Sequence, residues 1–469
     1  MQILIKGARV LDPGNMDEKK DILIDGEKIA AILDPSEALP SGALPSETKS
    51  SCAASSATVT SGAVSSGALS PRALSSGAVS EDPADIQVID AEGLVLVPGL
   101  MDIHVHLREP GHEYKETIAT GAAAAARGGF TAVCAMPNTV PVNDNAQVTA
   151  FVLEKARLAK GARVYPVGAI SKGSAGTNLA EIQDMQQAGI KAVTDDGLPV
   201  ADAQLMRRAL EYCTGLSIPV FVHAEEISLV NGGAMNEGPA ATFQGIKGIP
   251  NAAEAVMVAR DILLSQLTGA HVHFCHISCK ESIELIRRAK EQGIRVTCET
   301  APHYFTLIDE DVKDYDTHFK MNPPLRSKKD REAVIQGLAD GTIDAIASDH
   351  APHSKEEKDL EFDQAAFGIV GLETSLPLSL QLVHSGVLTL AALIRKMAKN
   401  PAQILGMKND IIPGSRADLT LIDLNETYTI DPALFVSKSR NTPFAGMAVQ
   451  GRAVCTMKDG QIVFSAVKG

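Results

Sequence analysis

Apolar and polar residues alternate with period two at both ends of the chain and gather into short blocks through its middle. Residues 2–10 (QILIKGARV) and 21–32 (DILIDGEKIAAI) read as short strands joined by a polar turn, and 86–97 (IQVIDAEGLVLV) resumes the pattern. From residue 98, short apolar runs alternate with helical periodicity. The predicted strands are 99–104, 131–136, 163–168, 189–194, 219–223, 271–276, 294–299 and 343–348, and helical stretches between them include 115–128, 252–268 and 279–292. Such a succession predicts an α/β fold, a (β/α)8 TIM-like barrel, in which chemistry collects at the C-terminal strand ends. Strand patterns return at 417–423 and 447–466. They are expected to join the N-terminal strands in a small β-sandwich domain built from both chain ends. The expected division is 1–34, 86–97 and 413–469 for that domain, and 98–412 for the barrel.

A different kind of sequence interrupts the first region. Residues 35–85 are a degenerate Ser/Ala/Gly/Pro repeat with almost no large apolar side chains. Such a segment buries too little surface to offset its ordering entropy, so a disordered insertion is expected. A long flexible loop between two strands adds little closure entropy, and no function is expected of it; a tether is the alternative, with nothing in the sequence to support it.

Composition narrows the class. The 469 residues exceed one compact core, and 45% hydrophobic with 21% charged residues is globular. A net charge of −14 argues against nucleic-acid or anionic-membrane partners and requires any anionic substrate to find a locally positive site. No apolar run reaches transmembrane length, and the N-terminus enters strand-like sequence without a leader pattern, from which a cytoplasmic location is expected. Seven scattered cysteines fit a reducing compartment. Cys275 and Cys279 flank His276, but no second pair completes a zinc site, and both read as small core residues.

The candidate chemistry sits where barrel strands should end. His104 and His106 lie two apart, on one strand face, and Arg108 follows two later. Further strand ends carry Asp195-Asp196, His223-Ala224-Glu225, His276 and Asp349-His350-Ala351-Pro352-His353. Four histidines and two aspartates exceed one tetrahedral site and suit two bridged divalent ions. Nitrogen-rich ligation favours Zn2+, with manganese or cobalt as substitutes. The assignment is His104, His106 and Asp349 on one ion, His223 and His276 on the other, and one aspartate of the 195–196 pair between them. An arginine beside a metal is a receptor for a carboxylate. His303 reads either as pocket lining or as a structural hydrogen bonder, and His271 and His273 as core. Residues 354–366 read as a solvated loop or a mobile lid.

The combined motifs resemble the amidohydrolase superfamily and, within it, the class I dihydroorotases. They are HVHLREPG (104–111), MPNT (136–139), TDDG (194–197), MNPPLR (321–326), SDHAPH (348–353) and FGIVG (367–371). The resemblance covers nearly the whole chain except the insertion. It implies reversible hydrolysis of (S)-dihydroorotate to N-carbamoyl-L-aspartate, a step of pyrimidine biosynthesis. A hydroxide bridging the two ions would attack the ring amide, and Asp349 would act as catalytic proton shuttle. It also implies Asp196 as the bridging ligand, where hydantoinases use a modified lysine; Lys191 is the nearest strand-four lysine. His106, Arg108, Asn138, Asn322 and His353, with the backbone of Phe367 and Gly368, match substrate-binding positions. The partners implied are a small-molecule substrate and either a homodimer or a complex with aspartate transcarbamoylase. The rival readings are an allantoinase or hydantoinase, and a non-catalytic partner subunit.

Overall fold

The computed structural model describes residues 2–35 and 86–466; the low-complexity repeat at 36–85 lies outside the described residues. β1 (Gln2–Asp12), β2 (Met16–Asp25) and β3 (Lys28–Leu33) pair antiparallel. The single strand expected over 21–32 is thus a hairpin. Asp25 pairs with Lys28 around a two-residue turn whose first position, Gly26, has φ +57°. That left-handed geometry matches the twist of the flanking strands and favours glycine. β4 (Ile86–Asp90) and β5 (Val95–Pro98) both lie parallel to β1.

β6 (Leu100–Val105), β7 (Phe130–Ala135) and β8 (Arg163–Pro166) form a parallel three-stranded sheet. β9 (Val220–Val222) follows, then a short pair, β10 (Met235–Asn236) and β11 (Gly248–Ile249). β12 (Val272–Phe274), β13 (Val296–Thr300) and β14 (Ala345–Ile346) complete a second parallel sheet in the order β14-β13-β12-β9. Single bridges join the two sheets. Val193 pairs with Gly168 and with Val220, and Val105 pairs with His350. The pairings therefore run from β6 round to β14 and back to β6. The strand expected at 189–194 is reduced to that one bridging residue. Its neighbours there are Pro166 and Pro219, which accept bonds from Lys191 and Val193 and have no N–H to return.

β15 (Leu419–Thr429), β16 (Ala448–Lys458) and β17 (Gln461–Ser465) close the chain. They extend the first sheet in the order β17-β16-β15-β5-β1-β2-β3, with β4 on β1. The two chain ends thus share one eight-stranded sheet rather than two separate layers, because Leu96 of β5 pairs directly with Leu421 of β15. Ile3, Ile22, Ile29, Leu96, Leu421 and Val454 pack into a single apolar cluster.

Alternation along the parallel strands sorts their side chains into two clusters. Met101, Ile103, Cys134, Phe221, Cys275 and Ala347 pack among themselves. Val105, Val133, Val222, Phe274 and Ile346 pack outward against the helices. Three of these helices, Ile118–Arg127, Asn251–Thr268 and Lys280–Glu291, lie where the periodicity placed them. Fully burying a ring such as Phe221 or Phe274 contributes about 1.5–3 kcal/mol. No helix among the described residues is long and apolar enough to cross a membrane.

One departure from strict alternation matters. The register of β6 against β7 shifts between Asp102 and Val105. The buried Asp102 carboxylate supports the shift, accepting from His104 N at 3.1 Å and from Ser348 N at 3.1 Å. The shift brings His104 onto the same side as Ile103 despite their adjacency.

His273 is fully buried, as expected, and His271 only half-buried, and the two form a polar ladder. Both imidazoles bond the Thr297 hydroxyl, at 2.8 and 2.9 Å. Burial, reinforced by His273, pushes His271 down to about 4. The folded protein thus binds fewer protons than the unfolded chain between about pH 6.5 and 4, and stability falls as pH drops through that window. His271→Gln is expected to lose less stability on acidification, by about 1–2 kcal/mol at pH 4.5, and to match the parent protein above pH 7. Urea unfolding at both pH values checks this.

Candidate metal and substrate site

Asp196 is the centre of the site. Its Oδ1 lies 3.3 Å from His104 Nε2, 3.8 Å from His223 Nδ1 and 3.6 Å from His276 Nε2, while Oδ2 lies 3.5 Å from His106 Nε2. Asp349 Oδ1 stands 3.2 Å from His106 Nε2 and 3.6 Å from His104 Nε2. All six residues are buried. The ligand-bearing atoms fall into overlapping groups, His104–His106–Asp196, His104–His276–Asp349 and Asp196–His223–His276.

This arrangement fits divalent cations on its own terms. Asp196 Oδ1, His104 Nε2 and His276 Nδ1 are buried without a hydrogen-bond partner. His223 Nδ1 and His276 Nε2 face each other at 2.9 Å, so at most one of them carries a proton. A buried set of imidazoles and carboxylates whose lone pairs converge is a ligand set for zinc-like ions. Burial works against the charge on Asp196 and Asp349. His104 nevertheless holds both carboxyls below their usual range, with help from His276 and His106.

Outer carboxylates orient the imidazoles. Glu299 Oε1 accepts from His104 Nδ1 at 2.8 Å, which fixes the ring with Nε2 facing Asp196. Its other oxygen lies 3.2 Å from His273 Nε2, a contact without hydrogen-bond alignment. Glu225 Oε2 lies 3.3 Å from His223 Nε2. Asn138 Oδ1 bonds His106 Nδ1 at 3.0 Å. Sequence reasoning missed Glu299 as part of the site; its one signal is an acid inside an otherwise apolar and threonine-rich strand. Glu225 stood in view beside His223.

The expected carboxylate clamp comes together in the same place. His106, Arg108, Asn138, Asp196, His223, His276, Asn322, Asp349, His353 and Phe367 line one cavity of about 290 Å³. Arg108 Nε donates to Pro352 O at 3.1 Å, and its Nη2 lies 3.3 Å from His353 Nε2. Asn322 Oδ1 is buried and unpartnered. Three site residues, Arg108, His276 and Asp349, have φ of +62°, +35° and +47°. These left-handed conformations are costly for side-chain-bearing residues and cluster where surroundings over-determine them.

Other candidates take different places. Gly368 does not line the cavity; its N–H donates to Lys320 O, and its carbonyl accepts from Asn441 and Lys358, so neither group is left for a ligand. Asp195 is held by the Ile170 and Ser171 amides and the Ser171 hydroxyl, so Asp196 is the aspartate of the pair that faces the four histidines. Lys191 Nζ lies over the Tyr165 ring at 5.6 Å, away from the cavity. His350 bonds Glu116 and the Gly371 amide. His303 is buried with Nε2 unpartnered and packs on Tyr304, outside the cavity wall. Within 354–366 a helical turn, Lys355–Lys358, buries the Lys358 amine against the carbonyls of Ala366, Gly368 and Lys320.

Solved structures define the class first. L-hydantoinase (dihydropyrimidinase) from Arthrobacter aurescens superposes with a TM-score of 0.81 at 24% identity, covering 99% of this chain and 96% of its own. Dihydropyrimidinase from Brevibacillus agri gives 0.78 at 24%, covering 100% and 96%. The fold is therefore the one these two structures share. Sequence resolves the branch. The Dihydro-orotase-like family pattern matches residues 93–282. A curated relative named Dihydroorotase from Desulforapulum autotrophicum is 55% identical over 464 residues, 99% of either chain. Another from Geobacter metallireducens is 49% identical over 99% of this chain and 100% of its own. The chain belongs to the dihydroorotase family.

The Glu299 contact predicts a measurable effect. Glu299→Gln should weaken divalent-metal affinity about 10-fold or more while leaving the melting profile of the metal-free protein near that of the parent. Competition with a chromogenic chelator reads the affinity directly.

Proposed function

We propose that the chain is a dihydroorotase that interconverts (S)-dihydroorotate and N-carbamoyl-L-aspartate. One observation carries the reading: a single cavity holds the imidazole–carboxylate cluster on one side and Arg108, Asn138 and His353 on another. A hydrolytic centre at a fixed distance from a carboxylate clamp suits a cyclic amide bearing an anionic handle. The relatives named Dihydroorotase support it. Lys191 lies away from the cavity, which counts against the lysine-bridged hydantoinase alternative. The circuit of parallel pairings reads as a (β/α)8 barrel over 98–412, with the shared end sheet as a second domain.

His104, His106 and Asp349 would hold one ion, His223 and His276 a second, with Asp196 between them. When bound, two zinc-like ions would supply an acidified water and a polarised amide carbonyl. The chain's own residues do the rest. Arg108, its Nε fixed by Pro352 O, turns its terminal nitrogens toward the substrate carboxylate. Asn138, with Oδ1 engaged by His106 and one amide hydrogen directed to Asp196 O at 3.5 Å, keeps its second amide hydrogen for the same group. Asp349 is buried at the cavity wall and kept ionised by the surrounding imidazoles, so its carboxylate is free to take the proton of the attacking water. It returns that proton to the leaving ring nitrogen, and ring closure runs the same steps backwards.

The metal-loaded protein should interconvert dihydroorotate and carbamoyl-aspartate by ultraviolet assay and leave hydantoin and allantoin untouched; turnover of hydantoin alone would overturn the reading. Asp349→Asn should lower kcat at least about 100-fold with only partial loss of metal. Arg108→Ala should raise KM for dihydroorotate by roughly 30- to 100-fold, the loss of a charged hydrogen bond. Steady-state kinetics with metal analysis of each variant separates the two effects.

A further inference from the structure

We infer that Glu357 is a positioning residue for the substrate carboxylate, acting through His353. The inference rests on the dihydroorotase reading for the substrate's identity and on a set of contacts for its mechanism. Glu357 Oε2 accepts from His353 Nδ1 at 3.1 Å and from Ser354 N at 3.1 Å. Its Oε1 accepts from Tyr114 OH at 3.1 Å and lies 2.7 Å from Lys115 Nζ. Tyr114 and Lys115 lie on the loop that begins with Arg108, while His353 and Ser354 follow the Asp349 strand end. One carboxylate thus staples together the two loops that carry Arg108 and His353.

The chemistry of the imidazole gives the staple its purpose. A carboxylate only accepts, so the His353 nitrogen facing Glu357 must carry the proton. That fixes the ring's flip and directs Nε2 to Arg108 and the cavity. Burial, with Arg108 and Lys115 beside it, pushes His353 down to about 3 against the pull of Glu357, so the ring is neutral and its free Nε2 accepts from Arg108 Nη2. The adjacent residue anchors the support. Lys358 is buried on the opposite side of the same turn and donates to three carbonyls, so Glu357 is presented by a fixed backbone. Lys355 on that turn is exposed and pairs only loosely with Asp359, at 3.8 Å.

The test is a kinetic cycle on the metal-loaded protein. Glu357→Gln should raise KM for dihydroorotate about tenfold with kcat within twofold of the parent. Glu357→Asp, one methylene short of His353, should show the same split, and Lys355→Ala should show none. In a His353→Asn background, Glu357→Gln should change KM by less than twofold, because the group it acts through is gone. An unchanged KM in Glu357→Gln, or an undiminished effect in the His353→Asn background, overturns the inference while parental turnover of dihydroorotate leaves the functional reading standing. Calorimetric titration with N-carbamoyl-L-aspartate supplies the same comparison as a dissociation constant, independent of turnover. A parent protein that neither binds nor turns over either compound overturns both.

Discussion

A single buried carboxylate shared by four imidazoles governs this molecule. Asp196 touches His104, His106, His223 and His276, and all five side chains are buried. A lone carboxylate taken out of water costs several kcal/mol, so the fold is viable only if its surroundings return positive charge. Much of the local irregularity of the parallel strands serves that need. The register shift in β6 turns His104 inward. The left-handed backbone at His276 and Asp349 turns each toward the same point at the end of its strand. Regular strands would end elsewhere.

Three of these imidazoles, and that of His353 beside them, are also braced from behind. Glu299 holds His104, Glu225 lies behind His223, Asn138 holds His106 and Glu357 holds His353. A ring anchored through one nitrogen has its tautomer and its plane settled before any ligand arrives, which lowers the reorganisation that binding demands. Acidic residues thus do much of the work of building a locally positive pocket in a chain of net charge −14.

Much of this was legible in the chain, and the gaps have physical causes. Strand and helix periods placed most elements because apolar runs flanked by amphipathic segments have few alternative packings. The ligand motifs stood out because His, Asp and Arg at the ends of apolar strands are expensive without a purpose. What escaped is what depends on partners far away in sequence. The strand at 189–194 shrank to one bridging residue because of prolines on its neighbours, not because of its own residues. The two-ended β-domain proved to be one continuous sheet because β5 chose β15, a pairing no local pattern encodes. Glu299 looked like any strand residue until β13 stood beside His104. Gly368 sat inside a matching motif, yet its backbone groups were taken by Lys320, Lys358 and Asn441.

The Asp102 carboxylate, which clasps the first strand of the circuit to the residue just ahead of Asp349, has a consequence for biosynthesis. His104 leaves the ribosome 245 residues before Asp349 (349 minus 104). At ordinary elongation rates that gap lasts about 12–50 s. During it Asp196, His223 and His276 are added in turn, but Asp349 and the seam at Ser348 are missing. An incomplete set of candidate ligands is a weak and unselective chelator. On the proposed metal reading, ion choice is therefore deferred until the last strand docks and completes the set. The seam would make metal selection a property of the finished chain.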